Sequence, residues 1–468
     1  MEQRLKTAIL LAAVIAFVNF SPVSRGLAAQ PPDRPAPAGC GAGYDQSACG
    51  NVGDPYEGQG APKPNATIAA CGTFKPPSNG YVYRVTRDIG SDPTRDCITF
   101  SYTHTFVLDL DRHTITGKIH VAVNPYGLNI MNGTVNCNDP THACVQVYEG
   151  SSPTTYTKIH HLTVNQAAVA GYCLRFSHQN VGTHVPTRYI QVYNIDGSVA
   201  NVSTPGRYNW IQILGAATAT AEVWNCTISP GGYADEFQGI GLWTIGAYVH
   251  NNYIVLPHPL YEIGTHQTDR AIEFDCVGKT EDTCGHNELA YNQIVADNNR
   301  AIRVRAETGD LIHDNVIQNC RVNAMESGCI MIGGADVYDN ATSAEVYNNT
   351  IEINDGEGIL VMGSSYSTAN IHDNTVTCYQ GDCSHAMWFA HTNQSEPGFS
   401  DPIPGAIMTV KNTTFPANWG DRNAVMACGP PGNPAWSCED PKNLDSATVT
   451  YCNTGKVVGN GTIYESCP

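Results

Sequence analysis

The segments Val249-His-Asn-Asn-Tyr-Ile254, Ile312-His-Asp-Asn-Val-Ile317, Val346-Tyr-Asn-Asn-Thr-Ile351 and Ile371-His-Asp-Asn-Thr-Val376 share one pattern. An aliphatic residue leads into a polar, Asn-rich corner, and a second aliphatic residue follows. The pattern also occurs at Ile130–Val135, Val223–Ile228 and Leu289–Ile294, with weaker copies beginning at Ile159, Ile190 and Val410. From Ile130 to Val410 the mean period is about 31 residues. Between copies lie alternating strands: Val145-Gln-Val147, Leu174-Arg-Phe176, Ile211-Gln-Ile213, Ile272-Glu-Phe274, Ile302-Arg-Val304, Ile330-Met-Ile332, Ile359-Leu-Val361 and Met387-Trp-Phe389. Period-two alternation places one face inward and one outward. Helical periodicity is nowhere sustained.

A strand-and-corner repeat of this length cannot bury its apolar face alone and becomes stable by stacking on its neighbours, which predicts a solenoid. Asn252, Asn292, Asn315, Asn349 and Asn374 are expected at the corners, because Asn tolerates left-handed backbone angles. Their amides would then bond to one another along the stacking axis.

Val107-Leu-Asp-Leu-Asp-Arg-His-Thr-Ile-Thr-Gly117, followed by Leu128-Asn-Ile-Met-Asn-Gly-Thr-Val135, resembles the entry into the pectate-lyase-like superfamily of right-handed parallel β-helix proteins. The resemblance implies an all-β fold, a right-handed parallel β-helix solenoid of about ten coils with disulfide-stapled loops. That superfamily includes polysaccharide lyases, glycoside hydrolases, uronan epimerases, phage tailspikes and adhesins. The Asp-His motif of pectate lyases and the Asn-Thr-Asp and Arg-Ile-Lys motifs of polygalacturonases are missing, so no catalytic residue is carried over by name. Function is argued from the site.

Of 468 residues, 42% are apolar and 15% charged, which excludes a disordered chain. The formal charge of −18 argues against a nucleic-acid binder or a binder of anionic membranes, both of which use basic surfaces. Residues 1–29 read as a signal peptide, with Arg4 and Lys6 before the apolar run Ala8–Val18 and small residues at Ala28 and Ala29. Residues 30–99 are expected to be a linker and capping segment, 100–416 the β-helix, and 417–468 a Cys-rich C-terminal cap. The protein is expected outside the cell or in the periplasm, as a monomer.

Eighteen cysteines fit an oxidising compartment. Close pairs recur at Cys40/Cys49, Cys137/Cys144, Cys276/Cys284, Cys320/Cys329, Cys378/Cys383, Cys428/Cys438 and Cys452/Cys467. Cys71 with Cys97 and Cys173 with Cys226 remain as longer-range candidates.

Aligning the alternating strands gives two outward columns. The first reads Gln146, Arg175, Gln212, Gly241, Glu273, Arg303, Met331, Leu360, Trp388; the second reads Tyr148, Ser177, Leu214, Trp243, Asp275, Arg305, Gly333, Met362, Ala390. With strands about 4.8 Å apart, Glu273, Asp275, Arg303 and Arg305 should form a compact charged square in open solvent. These four are the catalytic candidates. Tyr148, Arg175, Gln212 and Trp243 would extend the site, and Gly241 would leave a gap beside Glu273. The loops Ser229–Gly239 and Leu256–Arg270 would add Asp235, Glu236, His266, Asp269 and Arg270 as substrate-binding residues. Aromatic faces stack on sugar rings, and carboxylates and Arg bond hydroxyls or uronates. His250, His313 and His372 are read as corner residues, not ligands.

Polysaccharide cleavage by β-elimination is the expected activity, with glycoside hydrolysis by paired carboxylates or non-catalytic glycan binding as alternatives. Arg beside each carboxylate favours its ionised form, which is wrong for the general acid of a hydrolase. Elimination on a uronan brings Ca²⁺ with it as a candidate cofactor; no organic cofactor is expected. Lysine is scarce in the repeats, so Arg, His or Tyr is the expected base.

Overall fold

The computed structural model describes strands and turns between residues 63 and 413, together with short strands between Val425 and Glu465. Residues 1–62, most of 414–468, and connecting loops such as 179–187, 200–207, 261–269, 276–284, 322–327, 334–341 and 391–406 lie outside the described residues. The expected signal peptide, Cys40, Cys49, Cys276, Cys284, Cys383, Cys428, Cys438 and Cys467 therefore fall outside them.

The described chain is all β, in two long sheets of 22 and 14 strands and a small two-stranded one. The described pairings are parallel. In the 14-stranded sheet, strands follow one another in chain order from Gly72–Phe74 to Val457–Val458. The 22-stranded sheet collects the segments before and after each Asn-rich corner. This arrangement is compatible with the β-solenoid expected from the repeat.

The inward positions form one apolar core. Val223, Ile228, Val249, Ile254, Ile312, Ile317, Val346 and Ile351, the aliphatic bounds of the corners, are fully buried, as are Ile272 and Phe274 of the alternating strands. Each such side chain contributes roughly 1.5–3 kcal/mol by leaving water.

The corners are built differently from the expectation in one respect. The left-handed residue is the one before each stacked Asn: Asn251, Tyr291, Asp314, Asn348 and Asp373 have φ between 53° and 57°. The next residue points inward and hydrogen-bonds along the stack. Asn252 Nδ2 donates to Asn292 Oδ1 at 2.9 Å, and Asn292 to Asn315, Asn315 to Asn349 and Asn349 to Asn374 at 3.0 Å each. The ladder opens at Cys226, whose backbone N–H donates to Asn252 Oδ1. Earlier repeats place Gly133, Leu162 and Ile195 at this position.

Cys71–Cys97, Cys137–Cys144 and Cys320–Cys329 are disulfides, and Cys378 is also disulfide-bonded. Cys173 and Cys226 are instead free buried thiols. Cys173 lies in Tyr172–His178 of the 14-stranded sheet, whereas Cys226 occupies a corner of the other sheet, with Sγ 3.4 Å from the Trp224 carbonyl oxygen. Spacing left the two cysteines over, but the fold assigns them to different walls.

Candidate functional site

Strand register places the first outward column as read from alternation. Gln146 pairs with Arg175, Arg175 with Gln212, Gln212 with Gly241, Gly241 with Glu273, and Glu273 with Arg303. Met331, Leu360 and Trp388 continue it. In the second column, Tyr148 pairs with Ser177, Leu214 with Trp243, and Asp275 with Arg305. Trp243 is exposed and Tyr148, Arg175 and Gln212 are half-buried. Asp235, Glu236, His266 and Asp269 lie outside the described residues.

The charged square is assembled, but it is not open to solvent. Glu273, Asp275 and Arg303 are only 4%, 8% and 8% exposed. Glu273 is bonded by Gln238 from the preceding strand, by Arg270 from its own, and by Arg303 Nη1 at 3.5 Å from the next. Arg305 Nη2 lies 2.7 Å from Asp275 Oδ2, with Nε 3.3 Å from the other oxygen. Arg270, expected to contact substrate from a loop, opens the strand Arg270–Asp275 and serves this network. The gap expected at Gly241 is filled by the Gln238 amide, 2.7–2.9 Å from where a Cβ would stand. Long neighbouring side chains thus fold over the carboxylates. Burial, with Arg270 beside it, lowers the Arg303 guanidinium to about 10, leaving it cationic at neutral pH. Both carboxylates already hold guanidinium groups, a donor set that does not suit Ca²⁺. Among the described residues no three His, Cys, Asp or Glu side chains gather as a metal site.

The same row continues toward the start of the sheet, where alternation was not followed. His120 pairs with Gln146 and Thr99 pairs with His120. His120 Nδ1 lies 3.1 Å from Asp96 Oδ2, and its ring is 5.1 Å from that of Tyr148. Lys118 Nζ bonds Asp139 at 2.5 Å and Asp96 at 3.3 Å, and His142 Nδ1 lies 3.1 Å from Asp139. A cavity of about 110 Å³ opens between Asp96, Lys118, His120, His142 and Gln146. Burial works against the Lys118 ammonium, but the bond to Asp139 and the charges of Asp96 and Asp139 outweigh it and raise its pKa. Burial also works against charge on Asp139, yet bonds from Lys118 and Thr141 hold its carboxyl well below the usual range. Lys118 is therefore a fixed cation and not a base. Its signal in the sequence is its spacing, two residues before the outward His120.

Polar atoms along this row are shielded from water and lack a hydrogen-bond partner among the described residues: His120 Nε2, Arg175 Nε and Gln212 Oε1. Arg270 Nε and Arg303 Nε of the neighbouring charged network are likewise buried and unsatisfied, so unsatisfied atoms do not by themselves single out this row. The Arg175 guanidinium also lies 4.6 Å above the Tyr172 ring, which orients it.

The corner histidines form a second ordered row. His160, Tyr193, Trp224 and His250 stack in sequence, as do His313, Tyr347 and His372, with Ala290 between the two runs. Each late histidine meets a glutamate of the preceding repeat: His250 with Glu222 and His313 with Glu288 at 3.3 Å, and His372 with Glu345 at 3.0 Å. Stacked rings hide their faces, so this row suits corner packing better than sugar stacking.

No protein-family model matches the sequence, and comparison with curated proteins finds no match.

Proposed function

We propose that this is a secreted, carbohydrate-active protein of the pectate-lyase-like kind, a right-handed β-helix of about ten coils. It holds an extended polysaccharide along the outward row His120, Gln146, Arg175 and Gln212. The observation that carries the reading is the continuous register row of His120, Gln146, Arg175 and Gln212, with a cavity open beside His120 and Gln146. Over three strand spacings, roughly 14 Å, it offers mixed hydrogen-bonding partners to successive sugar units.

The chemistry it supports best is β-elimination on a uronan. Asp96 orients His120 through Nδ1, so that Nε2, covered in the free protein, takes the proton α to the uronate carboxylate once substrate displaces the covering side chains. Arg175 neutralises that carboxylate, and the Tyr148 hydroxyl gives a proton to the departing glycosidic oxygen as the C4–C5 double bond forms. Hydrolysis is less favoured, because Asp96, Asp139, Glu273 and Asp275 are each already engaged in an ion pair. A polysaccharide panel tests the proposal. Absorbance near 235 nm should rise with a uronan and fall about 100-fold or more in His120→Asn. New reducing ends without that absorbance would indicate hydrolysis instead. Binding without either product would leave a glycan-binding role, the reading favoured by the ion pairs that already engage Glu273 and Asp275.

A further inference from the structure

A step at one corner of the 22-stranded sheet forms a second cleft, away from the polar row. Asp109 pairs with Met131 and Thr114 with Thr134, so residues 110–113 span a corner that the next strand crosses with only 132 and 133. His160 pairs with Met131 and Thr163 with Thr134, so the strand after that also crosses with two, 161 and 162. The two extra residues swing outward through left-handed Asp111 (φ 47°) and Arg112 (φ 68°). Beside this wall opens a cleft of about 610 Å³, with Asp111, Arg112 and His161 on its rim and Asn132, Thr134 and Thr163 along its floor. That volume lies within the roughly 300–1,000 Å³ of small-molecule sites.

The wall is held in place from behind. Buried Asp109 accepts from Arg84 Nε at 3.1 Å, from the Asp111 backbone N–H at 2.9 Å and from Asn132 Nδ2 at 3.3 Å. Arg84 also lies 3.9 Å from Asp111, which leaves that carboxylate half open to solvent. On the far rim, Asn194 Nδ2 lies 2.9 Å from His161 Nε2, and His160 Nδ1 lies 2.7 Å from His161 Nδ1. Asp111 and His161 thus have partners on the rim before any ligand arrives, which lowers the ordering cost of binding.

The lining combines one open carboxylate, one guanidinium, an imidazole, an amide and two hydroxyls. Asp111 and Asp109 disfavour a polyanion, while Arg84 and Arg112 disfavour a cation. Mixed donors and acceptors with balanced charge match vicinal sugar hydroxyls. We infer that this corner cleft is a second carbohydrate site, for a neutral glycan segment, independent of any chemistry on the polar row.

Isothermal titration of the full-length protein with cellohexaose, xylohexaose and mannohexaose tests it. One hexaose should bind with 1:1 stoichiometry. Asp111→Ala and Arg112→Ala, both at exposed positions, should weaken that binding at least tenfold, and Thr163→Trp, which fills the floor, should abolish it. Far-ultraviolet circular dichroism should match wild type in all three variants. The inference is overturned if none of the hexaoses binds, or if binding persists unchanged in Asp111→Ala and Arg112→Ala. Binding is read without turnover, so this result is distinct from any failure of uronan cleavage.

Discussion

Asn292 donates from Nδ2 to Oδ1 of Asn315 at 3.0 Å, and the same Oδ1 accepts the backbone N–H of Asn292, also at 3.0 Å. One side-chain oxygen thus satisfies two buried donors of the neighbouring repeat. Asn315 Nδ2 in turn bonds Asn349 and the carbonyls of Leu289 and His313. Asn315→Leu should therefore strand several buried groups at once and destabilise the protein by roughly 2–4 kcal/mol. Denaturant midpoints should show it.

Glu273 offers a test between stability and catalysis. It faces Arg270 and Arg303 with only 6% of its side chain exposed. Removing it leaves two guanidinium groups without their shared partner, so Glu273→Ala should cost about 3–5 kcal/mol. A variant that stays as stable as wild type but loses turnover would restore Glu273 to the reacting centre.

The pH dependence of stability should carry the mark of His313. Burial opposes its charge, but bonds to Glu288 and Asp314 outweigh this and raise its pKa above 6.5. Tyr291 and Tyr347 flank the ring without adding charge at neutral pH. A raised histidine stabilises fully below its unfolded pKa and loses that contribution as pH climbs through the folded value. Thermal midpoints should fall as pH rises above about 6.5, and His313→Gln should flatten that slope.

Cys173 and Cys226 should resist alkylation in the native protein. Burial pushes both thiols up, that of Cys226 to about 12, so neither forms a thiolate at pH 8. Peptide mapping after iodoacetamide treatment should find both modified only when the protein is unfolded first.

Gly197 lies against the ring of fully buried Trp210, where a Cβ would stand 1.0 Å from Cη2. Gly197→Ala should prevent accumulation of folded protein, and the double change Gly197→Ala with Trp210→Leu should restore it in part, as judged by the yield of folded protein.

Alternation made the outward row from Gln146 to Trp388 legible, because a period of two needs no knowledge of neighbours. The short disulfides Cys137–Cys144 and Cys320–Cys329 were legible for a similar reason, since closeness in sequence favours closeness in space. What escaped was whatever depends on side-chain reach. Nothing in the spacing tells that Gln238 and Arg270 fold over Glu273, or that Cys173 and Cys226 face different walls. The left-handed residue was displaced by one position, since Asn suits both the bend and the ladder. His120 was missed because its strand, Lys118–Val121, is short and its alternation was not extended to the columns.

The amide chain from Asn252 to Asn374 runs head to tail, each member giving in one direction and receiving from the other. Within that stretch the repeats are interchangeable in their bonding, so a whole unit could be duplicated or excised there with every amide still matched. At Cys226 the series has a true beginning, and before it the position holds only apolar residues or glycine. A gain or loss of a unit there would leave the earlier half, which carries both proposed sugar sites, with its dimensions unchanged.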